Sequence, residues 1–384
     1  MNAKKLYYAD CHLREFTAEV VSCRQVSGGF EIELDATAFY PEGGGQACDL
    51  GYLDDTKVLD VQEREERILH LCDKPLAAGT SVHGKIDWDR RFDLMQQHTG
   101  EHILSGTVYK KYGYHNVGFH IGADTVTVDF DGIIPQEDLP GLQRKINEVL
   151  WQNLPVKCWY PTEEELPNVF YRTKRALPWP VRIVEIPGVD SCACCGVQVE
   201  RTGEVGVVYL VSAVKFHQGT RIEMVSGSRA YELLHKIYEQ NRQVSQAFSV
   251  KVTETGQAAR EMNERLAQEK FRFGTLQKQI FQGIADDYAG AGDVLYFAQE
   301  LTPDKVRELA DMIAEGCGGI ACVLSGSDEE GYNFCLVSRN TDVRPVGRAM
   351  TEALGGRGGG KQDAFQGKLC ARKEEITVCF RQNQ

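Results

Sequence analysis

The chain has 384 residues, of which 42% are hydrophobic and 26% are charged, and its formal net charge is −12. This length exceeds one ordinary domain, so two or three are expected, and the composition is typical of a globular protein. An acidic chain is a poor non-specific binder of nucleic acids, although a local basic patch can still hold phosphates. No apolar run approaches the length of a membrane span, and the N-terminal segment lacks a signal-peptide core. We therefore expect a cytoplasmic protein without membrane partners.

Residues 1–85 alternate apolar and polar positions between turn signals. The alternation predicts strands at Phe16–Cys23 and Phe30–Asp35, and turns at residues 54–55 and 78–79. Short alternating strands of this kind favour a small β-barrel as the first domain.

Residues 86–228 mix helical and strand patterns. Helices are predicted from Trp88 to about Tyr112 and over Leu139–Asn153, with strands at Val126–Phe130, Val181–Ile186, 205–211 and 220–225. The fold class is therefore α+β, and this second domain carries the candidate metal ligands on a helix and a loop.

Residues 229–288 show heptad spacing of apolar side chains. The spaced positions are Ala230, Leu234, Ile237, Asn241, Val244 and Phe248, and then Ala259, Met262, Leu266, Glu269, Phe273, Leu276 and Ile280. This spacing predicts a helical hairpin or a coiled coil with a break at residues 253–256. Two amphipathic helices that cover another domain would give the same pattern. A homodimer could form through this region or through the C-terminal domain.

Residues 289–384 return to an α/β pattern, which predicts a separate C-terminal domain. Within it, Gly355–Lys361 is rich in glycine and could hold phosphates with Arg357 and Lys361. The run lacks the spacing of a Walker motif, so nucleotide hydrolysis is not expected. A flexible loop facing an RNA backbone and a plain surface loop both fit its composition.

His98 and His102 lie four residues apart within the predicted helix. This spacing places both imidazoles on one helix face, where they can reach one metal ion. The chain has 13 cysteines, and only Cys192, Cys194 and Cys195 cluster. Because zinc prefers imidazole and thiolate ligands, His98, His102 and Cys194 predict a zinc site formed by distant segments.

The same helix matches the His-x-x-Glu-His pattern of an inverted zinc-peptidase motif, with Glu101 as the general base. A zinc peptidase is therefore an alternative function. Such an enzyme requires a carboxylate as third ligand, whereas this chain offers a thiolate.

Glycines also cluster in the first domain, between Thr37 and Gln46. Gly43, Gly44 and Gly45 permit positive φ angles and close approach to a ligand, and Gln46 could offer its amide to a polar substrate. A tight structural turn is the simpler interpretation of the same residues.

Together these segments resemble a known family. The chain resembles the stand-alone alanyl-tRNA editing proteins of the AlaX family, especially the long type, which are similar to the editing and C-terminal parts of alanyl-tRNA synthetase. The resemblance covers most of the chain in the same order. It is carried by Ala38–Gln46, by His98–Leu104, by Cys194–Val199 with the segments 202–206 and 221–223, and by 355–367, which resembles the tail domain called DHHA1.

The resemblance implies a zinc site in which His98, His102 and Cys194 are joined by position 198. The family usually has Cys-x3-His here, whereas this chain has Gln198. A glutamine oxygen is a poor zinc ligand. Either Gln198 or water therefore takes the fourth position, or Cys192 or Cys195 does.

The resemblance also implies an activity, namely hydrolysis of serine or glycine wrongly attached to tRNA for alanine. Thr37 would sense the serine hydroxyl, Gln46 would hold substrate or water, and Glu101 would assist catalysis. Contacts to the aminoacylated tRNA would come from Gly43, Gly44, Gly45, Arg221, Arg357 and Lys361. Because of Gln198, a catalytically weakened relative that only binds tRNA or a protein partner is a third hypothesis.

Overall fold

The computed structural model describes residues 3–173 and 177–383. The chain divides into two compact units, Met1–Gln243 and Val244–Gln384. In the first unit one hydrophobic core includes Ile32 and Leu53 of the N-terminal strands as well as Ile103 and Ile222 further along the chain. The predicted boundaries at residues 85, 228 and 288 stay a prediction. None of the described helices is both long and apolar enough to cross a membrane.

The first unit begins with strand β1 (Lys4–Lys5) and the one-turn helix α1 (Leu6–Ala9). The next strands are β2 (Glu15–Val26), β3 (Gly29–Leu34), β4 (Ala36–Thr37), β5 (Gly51–Leu53), β6 (Thr56–Arg64), β7 (Arg67–Cys72) and β8 (Ser81–Ile86). Six of them close a barrel in the order β2-β3-β7-β6-β5-β8, and β4 pairs in parallel with β1. Phe16, Ala18 and Val20 of β2 are buried, because alternate residues of a strand face the same side.

Helix α2 (Trp88–Tyr112) follows the barrel and carries the histidine pair. Asp87 caps its N-terminus by accepting a hydrogen bond from the Arg90 N–H, and Gly113 ends it at a φ of 75°. Residues 94–106 are buried without interruption. A helix buried on all sides can hold polar side chains only where each has a partner, so this stretch is where functional groups are expected.

The rest of the first unit folds around this helix. Its elements are β9 (Asn116–Ile121), β10 (Val126–Phe130), α3 (Leu139–Trp151), β11 (Lys157–Trp159), β12 (Ile183–Ile186), β13 (Asp190–Ala193), β14 (Val208–Phe216), β15 (Gly219–Ser226) and α4 (Gly227–Phe248). They form a four-stranded sheet in the order β14-β15-β10-β9 and a three-stranded sheet in the order β11-β12-β13. Strand β13 contacts α2, which brings the cysteine cluster to the histidines.

The second unit contains a mixed sheet with helices on both faces. Its elements are α5 (Thr255–Asp287), β16 (Gly292–Ala298), α6 (Pro303–Gly316), β17 (Gly318–Ser327), β18 (Gly331–Ser338), α7 (Arg344–Ala353), β19 (Arg357–Gly360), β20 (Ala364–Leu369) and α8 (Lys373–Gln382). The strand order is β16-β17-β18-β20-β19, and only β16 and β17 are parallel. Cys322 and Val323, adjacent in β17, belong to separate hydrophobic clusters, as strand alternation requires.

Both heptad segments are helical, but their apolar side chains are largely exposed. Among the exposed members the exposed fraction runs from 37% at Leu234 to 67% at Phe273, whereas Ala230 is fully buried. Helix α4 ends at Phe248 and α5 begins at Thr255, so the interruption spans residues 249–254. The predicted break at 253–256 is therefore too late in the chain, since residues 255 and 256 are already helical. The coiled coil and the homodimer stay predictions.

The glycine-rich run of the second unit is not a flexible loop. Residues Arg357–Gly360 form the edge strand β19, which pairs with β20. A Cβ at Gly358 would lie 2.7 Å from the Phe365 ring, and one at Gly360 would lie 2.0 Å from the Ala364 carbonyl oxygen. Glycine is needed here because the neighbouring backbone and ring approach closely, a requirement that composition alone does not reveal.

Candidate metal centre

His98 and His102 of α2 meet Cys194 at one point inside the first unit. The two imidazole rings stack with their centroids 5.3 Å apart, and His98 Nε2 lies 3.3 Å from Cys194 Sγ. One ligand atom from each of the three residues lies within 4.8 Å of the other two. The spacing of the histidines and the contact between β13 and α2 together produce this convergence.

Each imidazole is oriented by an acceptor at its other nitrogen. His98 Nδ1 lies 2.8 Å from Gln46 Oε1, and His102 Nδ1 lies 2.9 Å from Asp190 Oδ2. An amide oxygen and a carboxylate can only accept, so each Nδ1 donates, and in the neutral rings Nε2 keeps its lone pair. Metal-binding histidines in proteins are typically held in this way.

Asp190 is itself fixed by Arg172. The guanidinium donates from Nε to Oδ1 at 2.7 Å and from Nη2 to Oδ2 at 2.8 Å. Burial alone would raise the pKa of the Asp190 carboxyl, but hydrogen bonds from His102 and Arg172 hold it below its usual range. The ionised carboxylate therefore remains available to the His102 N–H.

The Cys194 side chain favours the thiolate form. Burial would raise its pKa, but the facing His98 and hydrogen bonds from His102 and His98 hold that pKa well below its usual range. The backbone N–H of Gly196 also donates to Cys194 Sγ at 3.3 Å. By contrast, burial raises the pKa of Cys192 to about 11, and burial likewise raises that of Cys195. Two imidazoles and one thiolate form a donor set that fits Zn²⁺.

The glycine-rich motif forms a tight turn against this centre. Gly43 and Gln46 exchange backbone hydrogen bonds of 3.0 and 2.9 Å, and Gly44 and Gly45 have φ angles of 59° and 83°. A Cβ at Gly44 would lie 2.8 Å from Cys195 Sγ. The glycines thus let the turn approach the cysteine loop and deliver Gln46 to His98.

A cavity of about 690 Å³ opens beside the three donors. All three line it, together with acidic, amide, aromatic and basic groups: Glu101, Asn116, Tyr8, Phe119, Tyr160, Arg172 and Arg182. The Arg182 guanidinium carbon lies 4.5 Å above the Tyr8 ring. The cavity therefore offers both aromatic surface and positive charge next to the candidate metal ligands.

Glu101 lines this cavity within a small buried network. Its Oε1 accepts hydrogen bonds from Ser105 Oγ and from Asn116 Nδ2, the latter at 2.5 Å. Within residues 3–173 and 177–383, Asn116 Oδ1 and Gln46 Nε2 are buried without a hydrogen-bond partner. The third donor beside the histidines is a thiolate, so the arrangement differs from the two-histidine, one-carboxylate site of the peptidase alternative.

Thr37 does not reach the cavity. It is fully buried, and its Oγ1 lies 2.9 Å from His70 Nε2 and accepts from the Phe39 N–H. The expected sensor of a serine hydroxyl therefore lies in the interior of the first unit, where its hydroxyl is already bonded.

The expected tRNA contacts lie outside the cavity apart from Gly44. Arg221 is held by Asp129 on the adjacent strand, with Nε to Oδ1 at 2.6 Å, and it stacks on Phe216. Arg357 and Lys361 are exposed in the second unit. Their proposed contact with RNA is not part of the site built in the first unit.

Gln198 lies beside Cys194, with its Nε2 3.8 Å from Cys194 Sγ, while its Oε1 accepts a hydrogen bond from Thr99 Oγ1 at 2.8 Å. The side-chain oxygen expected to bind the metal is thus bonded elsewhere.

Sequence reasoning missed Asp190, Arg172 and Asn116. Asp190 is the one carboxylate between Ile186 and Val199, so it could have been found as the acidic residue next to the cysteine cluster. Nothing in the sequence identified Arg172 or Asn116.

Three sequence families match separate parts of the chain. Residues 4–90 match the class II (A) tRNA synthetases. Residues 181–230 match the threonyl and alanyl tRNA synthetase second additional domain, and residues 291–378 match the DHHA1 domain.

Curated relatives match nearly the whole chain. The alanyl-tRNA editing protein Aarsd1 of Danio rerio is 26% identical, over 94% of this chain and 92% of that protein. The Rattus norvegicus protein of that name is 27% identical, over 96% and 95%. The alanine–tRNA ligase of Pyrococcus abyssi is 29% identical over 95% of this chain, which matches 42% of the ligase. Over nearly its whole length the chain is therefore similar to proteins named for alanyl-tRNA editing and to part of alanine–tRNA ligase.

Proposed function

We propose that this protein is a trans-editing deacylase, which hydrolyses the ester between wrongly attached serine or glycine and tRNA for alanine. The observation that carries the proposal is the convergence of His98, His102 and Cys194 beside a cavity large enough for an aminoacyl group. The similarity of nearly the whole chain to proteins named for alanyl-tRNA editing supports the choice of substrate.

The substrate class has a physical reason. Serine exceeds alanine by one hydroxyl, and glycine is smaller by one methyl group. A synthetic pocket discriminates weakly against both, so a second site that hydrolyses the wrong ester restores fidelity.

His98, His102 and Cys194 would hold the zinc ion, with Gln46 and Asp190 fixing the two imidazoles. When bound, zinc supplies Lewis acidity that polarises an ester carbonyl or a water molecule. We infer that the Glu101 carboxylate takes a proton from the attacking water, since Ser105 and Asn116 fix its orientation at the cavity wall. Water adds to the carbonyl carbon, the ester C–O bond breaks, and the ribose oxygen leaves with a proton.

The remaining lining suits the end of an RNA strand. Tyr8, Phe119 and Tyr160 offer aromatic surface for a terminal base, and Arg182 offers positive charge for its phosphate. Arg357 and Lys361 would contact the phosphate backbone elsewhere on the tRNA. Because the net charge is −12, binding would depend on such local groups and would weaken as salt increases.

Release of labelled serine from seryl-tRNA for alanine tests the proposal. We expect multiple turnovers with the metal-loaded protein, and a rate about 10³-fold lower after treatment with a chelator, because several kcal/mol of transition-state stabilisation depend on the metal. Added zinc should restore the rate. The matched control is the same tRNA correctly charged with alanine, which should be hydrolysed much more slowly.

Two results would contradict this function. One is the absence of serine release at any concentration of metal-loaded protein that binds the tRNA, which would favour a binding-only relative. The other is chelator-sensitive cleavage of peptides by a protein that leaves seryl-tRNA intact, which would favour the peptidase.

A further inference from the structure

The orientation of the Gln198 amide follows from two neighbouring hydrogen bonds. Thr99 Oγ1 accepts from the Val199 backbone N–H at 3.2 Å and donates to Gln198 Oε1 at 2.8 Å. The Gln198 Nε2 faces Cys194 Sγ at 3.8 Å, and a thiolate can only accept a hydrogen bond. The oxygen end of the amide therefore faces Thr99 and the nitrogen end faces Cys194.

We propose that Gln198 is a positioning residue that donates a hydrogen bond to the Cys194 thiolate, and that the metal therefore has three protein ligands and one position for a non-protein ligand. The inference deepens the proposed function and rests on it. The Gln198 side chain is 2% exposed, and its Nε2 lies 3.8 Å from Cys194 Sγ. The sulfur thus receives N–H donors from Gln198 and Gly196, an arrangement suited to a buried thiolate.

Neither neighbouring cysteine is placed to act as the fourth ligand. Cys195 Sγ lies 3.8 Å from Tyr40 Oη and against the Gly44 turn. Cys192 groups with His102 and Asp190, but not with His98 and Cys194, in the described part of the chain. The residues outside that part include no histidine, cysteine, aspartate or glutamate.

A three-ligand site has a functional meaning. Structural zinc sites in proteins are closed by four protein ligands, whereas catalytic sites keep one position for water or substrate. The change from the family's usual histidine to Gln198 is then compatible with hydrolysis, because the amide replaces a ligand bond with a hydrogen bond to the thiolate.

The test uses the full-length chain loaded with Co²⁺, whose absorption spectrum reports coordination number and sulfur ligation, together with Zn²⁺ affinity by chelator competition. Azide probes the open position. The variants are Gln198→Leu, which removes the donor, and Gln198→His, which supplies a fourth ligand. Gln97→Leu is the matched control, because Gln97 is equally buried on α2 but its amide bonds to Asp93 and the Ser226 backbone.

We expect azide to shift the Co²⁺ spectrum of the unmodified protein and of Gln198→Leu, but not that of Gln198→His. Gln198→Leu removes the amide that donates a hydrogen bond to the Cys194 thiolate, and this loss should weaken Zn²⁺ binding about 10- to 100-fold. Gln198→His should bind Zn²⁺ more tightly than the unmodified protein does. Gln97→Leu should bind Zn²⁺ with the affinity of the unmodified protein.

Three outcomes would overturn the inference: a Co²⁺ coordination number that falls in Gln198→Leu, a Zn²⁺ affinity of Gln198→Leu equal to that of Gln97→Leu, or failure of the unmodified protein to bind Co²⁺. These readouts require no tRNA. Absence of serine release with the expected metal behaviour would therefore contradict the deacylase function while leaving the assignment of Gln198 intact.

Discussion

Replacement of Cys194 by serine should remove the bound metal and lower serine release about 10³-fold. The thiolate is the one sulfur donor that faces both His98 and His102 in the described structure, and zinc contributes several kcal/mol to transition-state stabilisation in such hydrolases. His98→Ala should have the same two effects, because it removes an imidazole from the same donor set. Metal content per chain and the rate of serine release are the two measurements.

Cys195→Ser is the matched control for this prediction. Cys195 is the next residue along the chain and also lines the cavity, but its sulfur faces Tyr40 and Gly44. It should keep a full equivalent of metal and most of the activity. A Cys194→Ser protein that retains one equivalent of zinc would contradict the assignment of ligands.

Replacement of Asp49 by alanine should destabilise the first unit by about 3–5 kcal/mol, because it leaves the Arg91 guanidinium buried without its counter-ion. Both side chains are fully buried. Arg91 Nε lies 2.8 Å from Asp49 Oδ1, and Asp49 also accepts from the Tyr40 N–H at 2.6 Å. The pair therefore joins α2 to the chain segment that leads into the glycine-rich turn.

Urea unfolding followed by tryptophan fluorescence measures this effect. All four tryptophans lie in the first unit, so their signal reports that unit alone. Asp129→Ala is the control, because its ion pair with Arg221 is partly exposed and should contribute no more than about 1 kcal/mol. Equal losses in the two variants would show that the Asp49–Arg91 pair does not hold this segment.

The sequence predicted the part of the centre that depends on local geometry. The i, i+4 spacing of His98 and His102 placed both imidazoles on one face, and α2 has the predicted bounds Trp88–Tyr112. These bounds were predictable because Asp87 caps the N-terminus of the helix and Gly113 ends it, and both residue types are typical of helix ends. Cys194 was predictable because cysteines clustered only there.

The partners of these ligands depend on long-range contacts. Asp190 reaches His102 because β13 contacts α2, and no local pattern gives that contact. The resemblance implied that Thr37 senses the serine hydroxyl, yet in the structure Thr37 is bonded to His70 away from the cavity. The Gln198 amide is oriented by Thr99, which lies far from it in sequence. Tertiary structure decides each of these cases.

X-ray absorption at the zinc edge of the metal-loaded protein tests the central claim most directly, since it counts and identifies the atoms bound to the ion. We expect one sulfur at about 2.3 Å and two imidazole nitrogens at about 2.0–2.1 Å, with one further light atom. Cys195→Ser should give the same spectrum, whereas Cys194→Ser should give no zinc-edge signal because it should not retain the metal. A spectrum with no sulfur, or with two, would contradict a centre built from His98, His102 and Cys194.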